Sequence, residues 1–233
     1  TSIPARIASC ATSRAHPPPV FPPTGLYLVS SQEYAAGRTT LEVAQEAIRA
    51  GIDVLQMREK GLSLPERAAL GKTLAAHCRR AGVRFIVNDD PDLAARLDAD
   101  GVHLGQEDLA QWPLARARAQ MSRKRLIGVS THSFAQFCAG HDADTDYVAF
   151  GPVFPTRTKK YAIGVTDIER VMAYARKPVV FIGGITVDNV SGLLARGARV
   201  IAVIRAVTAA PDVAGAVRAF RKLLDNRRGE SGT

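Results

Sequence analysis

The chain has 233 residues, 46% of them hydrophobic, enough for one ordinary globular domain or two small ones. Its formal charge of +9 invites a nucleic-acid reading, but residues 1–24 carry two of those charges and residues 218–233 three, leaving four on the body. Aromatics make up only 6%, too few for a stacking platform, and no apolar run approaches the ~20 residues that span a bilayer; anionic small substrates, not nucleic acid or membrane, suit the excess charge.

Residues 1–24 hold Pro17, Pro18, Pro19, Pro22 and Pro23 with no hydrophobic period, so they read as a flexible, disordered Pro-rich extension with nothing to dock. Deleting residues 1–23 is therefore expected to leave stability unchanged. The segment lacks the apolar core of a signal peptide. Arg6 and Arg14 without acids leave a transit peptide as its second reading, behind an uncleaved tail. Cys10, Cys78 and Cys138 have no paired or metal-type spacing, and we expect reduced thiols and a cytoplasmic protein.

From Gly25 onward, short apolar strands alternate with amphipathic helices. Leu26 to Val29 leads to a helix near Thr40–Ala50, and Ile52 to Gln56 to one from Pro65 to Arg80. Phe85 to Val87 precedes a helix at Asp92–Leu97, and Gly101 to Leu104 one at Leu109–Ala119. Leu126 to Val129, Tyr147 to Phe150, Val179 to Ile182 and Val200 to Ile204 complete the set. Their helices are expected at Ser133–Ala139, Asp167–Ala175, Asp188–Arg196 and Pro211–Leu224. Eight β/α units in this length predict an α/β fold, a TIM (β/α)8 barrel over 25–226, with a flexible tail at 227–233. A doubly wound open sheet is the alternative, but Val29-Ser30-Ser31-Gln32 after the first strand is no glycine-rich dinucleotide turn.

Catalytic groups of such barrels sit where strands end at the C-terminal face. Those ends read Gln56 to Lys60, Asn88 to Asp90, Gln106 to Asp108, Ser130 to His132, Thr156 to Lys159, Gly183-Gly184 and Ile204-Arg205. The most informative is Phe150 to Lys159, where rigid Gly and Pro are followed by hydroxyls and a cation, a loop suited to an anionic ligand. An ordinary strand-to-helix loop is its bland alternative. Asp89 and Asp108 could each be a helix cap. Together, facing Arg58, Lys60 and Lys159, they suit Mg²⁺, which takes one or two carboxylates plus substrate phosphate oxygens. Gly183-Gly184 and the turn after the eighth strand lie where barrels bind phosphate. His103 reads as a packed interior residue, His132 as a loop residue with a smaller claim on a ligand, and Met57 as a volume filler that nonetheless sits inside the Gln56 to Lys60 motif.

These segments resemble the thiamine-phosphate synthase family, from about Leu26 to Phe220. The resemblance is carried by Gln56-Met57-Arg58-Glu59-Lys60, Asn88-Asp89, Asp100 to Asp108, Gly128 to Ser133, Gly151 to Lys159 and Ile182 to Ile185. It implies joining of a hydroxymethylpyrimidine diphosphate to a thiazole phosphate, with Mg²⁺ as cofactor, in a protein that could be a homo-oligomer. By position, Gln56, Met57, Arg58, Glu59, Lys60, Asn88, Ser130 and Lys159 would hold the pyrimidine diphosphate. Arg58, Lys60, Ser130 and Lys159 would be the catalytic set, and Asp89 and Asp108 the metal ligands. Thr156, Arg157, Thr158, Gly184, Ile204 and Arg205 would hold the thiazole phosphate.

Two rivals stand beside this reading. A related thiazole tautomerase carries a catalytic His just after the sixth-strand Gly, where this chain has Pro152. A non-catalytic barrel binding a phosphorylated ligand is the other. Arg205 departs from the family's usual small serine; its side chain either reaches the phosphate or swings to solvent.

Overall fold

The computed structural model describes residues 20–122, 124–156, 164 and 166–230, the side chains of 227–230 excepted. The first four strands are β1 Gly25–Ser30, β2 Val54–Met57, β3 Arg84–Asn88 and β4 Gly101–Leu104. The remaining four are β5 Leu126–Thr131, β6 Tyr147–Phe150, β7 Val179–Ile182 and β8 Val200–Val203. Each pairs in parallel with its sequence neighbours, and β1 pairs with β8, so the sheet closes into the expected barrel. Helices α1 Thr40–Ala50, α2 Leu64–Ala81, α3 Pro91–Arg96, α4 Leu114–Met121, α5 Phe134–Asp142, α6 Thr166–Tyr174 and α7 Val190–Ala195 fill the crossovers. Two helices follow β8: the short α8 Arg205–Thr208 and the long α9 Val213–Glu230.

Local chemistry explains the boundaries. Thr39 with Glu42, and Ser63 with Glu66, form capping boxes that start α1 and α2. The helix expected at Leu109–Ala119 splits into a 3-10 turn, Asp108–Ala110, and α4, because Pro113 cannot continue a hydrogen-bonded turn. The helix α9 runs past the expected 226 boundary to Glu230. It is anchored by Arg221, which reaches Asp53 at 2.6 Å and Asp225, one turn on, at 3.1 Å.

Alternation along each strand sorts side chains to two sides of the barrel wall. Leu55, Val87, Val102, Ile127, Val148 and Phe181 face the helices in the larger core. Tyr27, Val29, Val54, Ile86, Leu126, Tyr147, Val180 and Val200 fill the barrel interior.

The same interior core corrects the expectation for residues 1–24. Phe21 is 5% exposed, and its ring stacks on Tyr147 at 4.2 Å between centroids. Next to it the Val20 carbonyl accepts from Arg84 Nε at 3.2 Å. A single aromatic at the end of a proline run has no period to announce it, yet it floors the barrel. Residues 1–19 and 231–233 lie outside the described residues.

Burial of one phenyl ring is worth roughly 1.5–3 kcal/mol, and truncation in a core costs more. Phe21→Ala, or deletion of residues 1–23, should lower the melting temperature by several degrees, while deletion of 1–19 should not. Calorimetry of the three variants checks this, and equal melting temperatures would remove Phe21 from the core.

Candidate functional site

Interior parity decides which strand-end residues face the barrel axis. Gln56 follows Val54 two positions on, Asn88 follows Ile86, and Ser130 follows Leu126 by four, so all three share the inner face with His103. In the register Asn88 lies opposite His103, and His103 opposite Gly128, two residues before Ser130, whose Oγ is 2.9 Å from His103 Nε2. Met57 has the opposite parity. Its Sδ and Cε lie against Gly71 of α2, so it packs outward and is not a ligand-facing side chain.

Glu59 is likewise corrected. Its carboxylate is buried and accepts the Gln32 N–H at 3.1 and 3.2 Å and the Thr40 hydroxyl. It ties the loop after β2 to the turn after β1 and the start of α1, which engages both of its oxygens. Arg58 is half-buried beside it and Lys60 exposed. The motif thus alternates binding candidates with structural residues.

Asp89 stands at φ +63°, a left-handed backbone that costs a non-glycine residue energy, though Asp tolerates it better than most. Its N–H donates to the His103 carbonyl at 2.8 Å, which holds the bend. The capping alternative fails for Asp89, because Asp90 caps α3 by accepting the Leu93 N–H at 2.9 Å. Asp89 instead meets Lys60 at 3.2 Å.

Asp108 opens the 3-10 turn and accepts the Gly105 N–H at 2.7 Å, so part of its role is local. It also shares a hydrogen bond with Asp89. Burial, then that hydrogen bond, push its carboxyl up to about 6. Two carboxylates close enough to share a proton, beside one lysine, form a pocket short of positive charge. Among the described residues no group of three His, Cys, Asp or Glu could hold a metal alone. A pair is the protein share Mg²⁺ takes when substrate phosphates complete its oxygen shell, so the donor set fits the ion.

On the far side, the loops after β6 and β7 are joined by backbone. Val153 N–H donates to the Ile182 carbonyl at 2.9 Å and Phe154 N–H to Gly183 at 3.0 Å. Gly183 and Gly184 have φ +105° and +63°; a Cβ on Gly183 would come within 2.5 Å of Pro152, and one on Gly184 within 2.8 Å of Phe154 Cβ and the Pro155 carbonyl. The close approach foreseen for this pair is therefore to the neighbouring loop in the first place. Gly184 keeps an exposed face, and Thr156 stands half-buried at the last continuous residue of the β6 loop. Arg157, Thr158 and Lys159 lie outside the described residues.

Ile204 precedes α8, and its carbonyl accepts from Val207 and Thr208 at 3.0 and 2.8 Å. The exposed Arg205 guanidinium lies 5.9 Å from the Tyr34 ring centroid, which places its side chain over that ring. His132 Nδ1 donates to the Gly151 carbonyl at 2.6 Å, bracing the β5 loop on the β6 loop. His103 is interior, as expected, with ring contacts at both nitrogens. Sequence reasoning missed Tyr27 and Tyr147, to which His103 connects; their interior parity was the available signal.

A closed barrel with paired acids, a lysine, and a serine and amide at one mouth defines an enzyme of phosphorylated small molecules. The comparisons narrow the class. The profile of the thiamine monophosphate synthase family matches residues 26–207, and the chain belongs to that family. It is 40% identical over 205 residues to the thiamine-phosphate synthase of Pelotomaculum thermopropionicum, covering 87% of this chain and 93% of that one. Against the thiamine-phosphate synthase of Haloquadratum walsbyi it is 38% identical, covering 88% and 93%. The solved thiamine phosphate pyrophosphorylase of Pyrococcus furiosus superposes with a TM-score of 0.80 at 33% identity, over 88% of this chain and 97% of that one.

The raised Asp108 carboxyl has a testable sign. A carboxyl held above its unfolded value of about 3.9 contributes stability below that pH and loses it as pH rises through about 6. Asn is shaped like the protonated acid and can keep both hydrogen bonds. In the absence of divalent cations, Asp108→Asn should therefore gain thermal stability relative to the parent between pH 4 and pH 7. A melting-temperature difference independent of pH would show that the two carboxyls do not share a proton.

Proposed function

We propose that the chain forms thiamine phosphate. It joins 4-amino-2-methyl-5-hydroxymethylpyrimidine diphosphate to 4-methyl-5-(2-phosphoethyl)thiazole, with or without a ring carboxylate on the latter. The observation that carries this is the Asp89–Asp108 pair with Lys60, at the mouth of a barrel whose family makes this compound.

The thiazole nitrogen supplies the electron pair of the new C–N bond. The methylene C–O bond of the pyrimidine breaks and its pair leaves with pyrophosphate. Charge therefore accumulates on the leaving group, and the residues nearest it matter most. Arg58, Lys60 and Lys159 would meet that charge, and a fixed contact of this kind is typically worth ~3–4 kcal/mol in the transition state. Mg²⁺, held by Asp89 and Asp108, would neutralise diphosphate oxygens as they take up charge. Asn88 and Ser130 would orient the diphosphate, and Gln56 the pyrimidine ring.

Thr156, Thr158, Gly184 and the backbone at Ile204-Arg205 would hold the thiazole phosphate, with Arg157 beside them. The methylene left after C–O cleavage is cationic and reacts with water, so closure over the mouth must exclude water while the nitrogen is held in line. A protein base is not required, which agrees with a neutral His103 locked in the interior. Pro152 stands where the tautomerase has its histidine, which favours synthase chemistry. A cytoplasmic site of action fits this biosynthetic role.

Pyrophosphate release on mixing both substrates with Mg²⁺, and not with either substrate alone, tests the assignment. A tautomerase or a binding barrel would release none. Lys159→Ala should lower kcat by about two orders of magnitude or more while the KM for thiazole phosphate changes little. A rise in that KM alone would move Lys159 to the other substrate.

A further inference from the structure

Beneath the barrel mouth, five polar side chains form one unbroken chain. Gln56 Nε2 donates to the Tyr27 hydroxyl at 2.7 Å. The Tyr27 and Tyr147 hydroxyls are 3.0 Å apart, Tyr147 lies 3.0 Å from His103 Nδ1, and His103 Nε2 lies 2.9 Å from Ser130 Oγ. Both tyrosines are fully buried, and Gln56 and His103 nearly so. The Tyr147 ring fits only because residue 128 is glycine, where a Cβ would come within 2.0 Å of it. Phe21 stacks on the same ring from the closed end.

Each hydroxyl has a single hydrogen, and burial favours the neutral form of every member of the chain. Desolvation raises both phenols and brings the His103 imidazole down to about 4. Gln56 donates to Tyr27, so the Tyr27 hydrogen goes onward to Tyr147. Tyr147 then gives its own hydrogen to His103 Nδ1. A neutral His103 so engaged carries its proton on Nε2 and donates to Ser130 Oγ. The Ser130 hydrogen is directed away from His103.

We infer that Tyr27, Tyr147 and His103 are positioning residues that set the hydrogen-bond polarity of the substrate site, turning Gln56 Oε1 outward as an acceptor and the Ser130 hydroxyl outward as a donor. The ligand that matches places an amino group at Gln56 and an unprotonated oxygen at Ser130. A ring carbonyl in place of the amino group would set two acceptors face to face, and a buried mismatch of that kind is strongly rejected. The polarity therefore selects an aminopyrimidine over its oxo analogue, which rests on the substrate assignment proposed above. Tyr147 does this without touching substrate. Without its oxygen, the Tyr27 hydrogen is free to turn back to Gln56, and the amide can flip.

Two measurements test this on the full chain. In ¹⁵N-histidine spectra of the substrate-free protein at pH 7, with His103 assigned by difference from His103→Asn, His103 should be the neutral Nε2–H tautomer. The Nδ1–H tautomer, or an imidazolium, overturns the inference whatever the substrate proves to be. Tyr147→Phe should raise the KM for the aminopyrimidine diphosphate about tenfold and cut the preference over the oxo analogue by a similar factor, the size of one hydrogen bond. The KM for thiazole phosphate should stay within about twofold. Equal changes for both substrates, or an unchanged amino preference, would reduce Tyr147 to a packing residue. The tautomer is read without turnover, so failure of the reaction assignment stays distinguishable from failure of the network.

Discussion

Closure of eight parallel strands leaves each side chain two places to go, inside the barrel or out toward the helices. That constraint separates Gln56 from Met57 on β2, and turns Asn88, His103 and Ser130 to the same inner face under the mouth. A motif five residues long can therefore carry two tasks. In Gln56 to Lys60, the residue that packs on α2 and the carboxylate that fastens the β1 turn alternate with the candidates for ligand contact. Strand parity, more than residue chemistry, sorts them. A one-residue slip of β2 would exchange the roles.

The second constraint is electrostatic and opposes stability. Asp89 occupies a left-handed backbone, and Asp108 is held at a raised carboxyl pKa by burial and by its neighbour. Neither arrangement helps the protein fold at neutral pH. Strain and like charge are thus concentrated at one barrel mouth, where function and not stability accounts for such features. The exposed Lys60 contributes little to stability from its ion pair with Asp89.

The interior below the mouth is polar where a barrel of this size is ordinarily aliphatic. Two tyrosines, a histidine, a glutamine and a serine satisfy one another there, so the cost of burying them is offset by hydrogen bonds. Phe21 closes the opposite end against Tyr147, so the segment before β1 and the polar chain below the mouth share one packed column. Among the described residues no helix is long and apolar enough to cross a membrane, and the buried Cys78 thiol is pushed up to about 12 by burial, an unreactive state.

The alternation of short apolar strands with amphipathic helices was enough to read eight β/α units and a closed barrel, because period and turn residues are local properties. Acids, cations and hydroxyls gathered at strand ends also marked the mouth, since strand direction alone says which end a loop occupies. Their separate tasks were not legible. Asp90, not Asp89, caps α3, Glu59 is consumed by Gln32 and Thr40, and Arg205 lies over Tyr34. Phe21 looked like part of a proline-rich tail because one buried ring leaves no period in a sequence. The Gln56–Tyr27–Tyr147–His103–Ser130 chain joins positions up to 120 residues apart, and only barrel closure brings them within hydrogen-bond reach. Composition and pattern determine the elements and the face where chemistry belongs; distances between strands remote in sequence, and the hydrogen-bond directions they impose, come from the folded barrel.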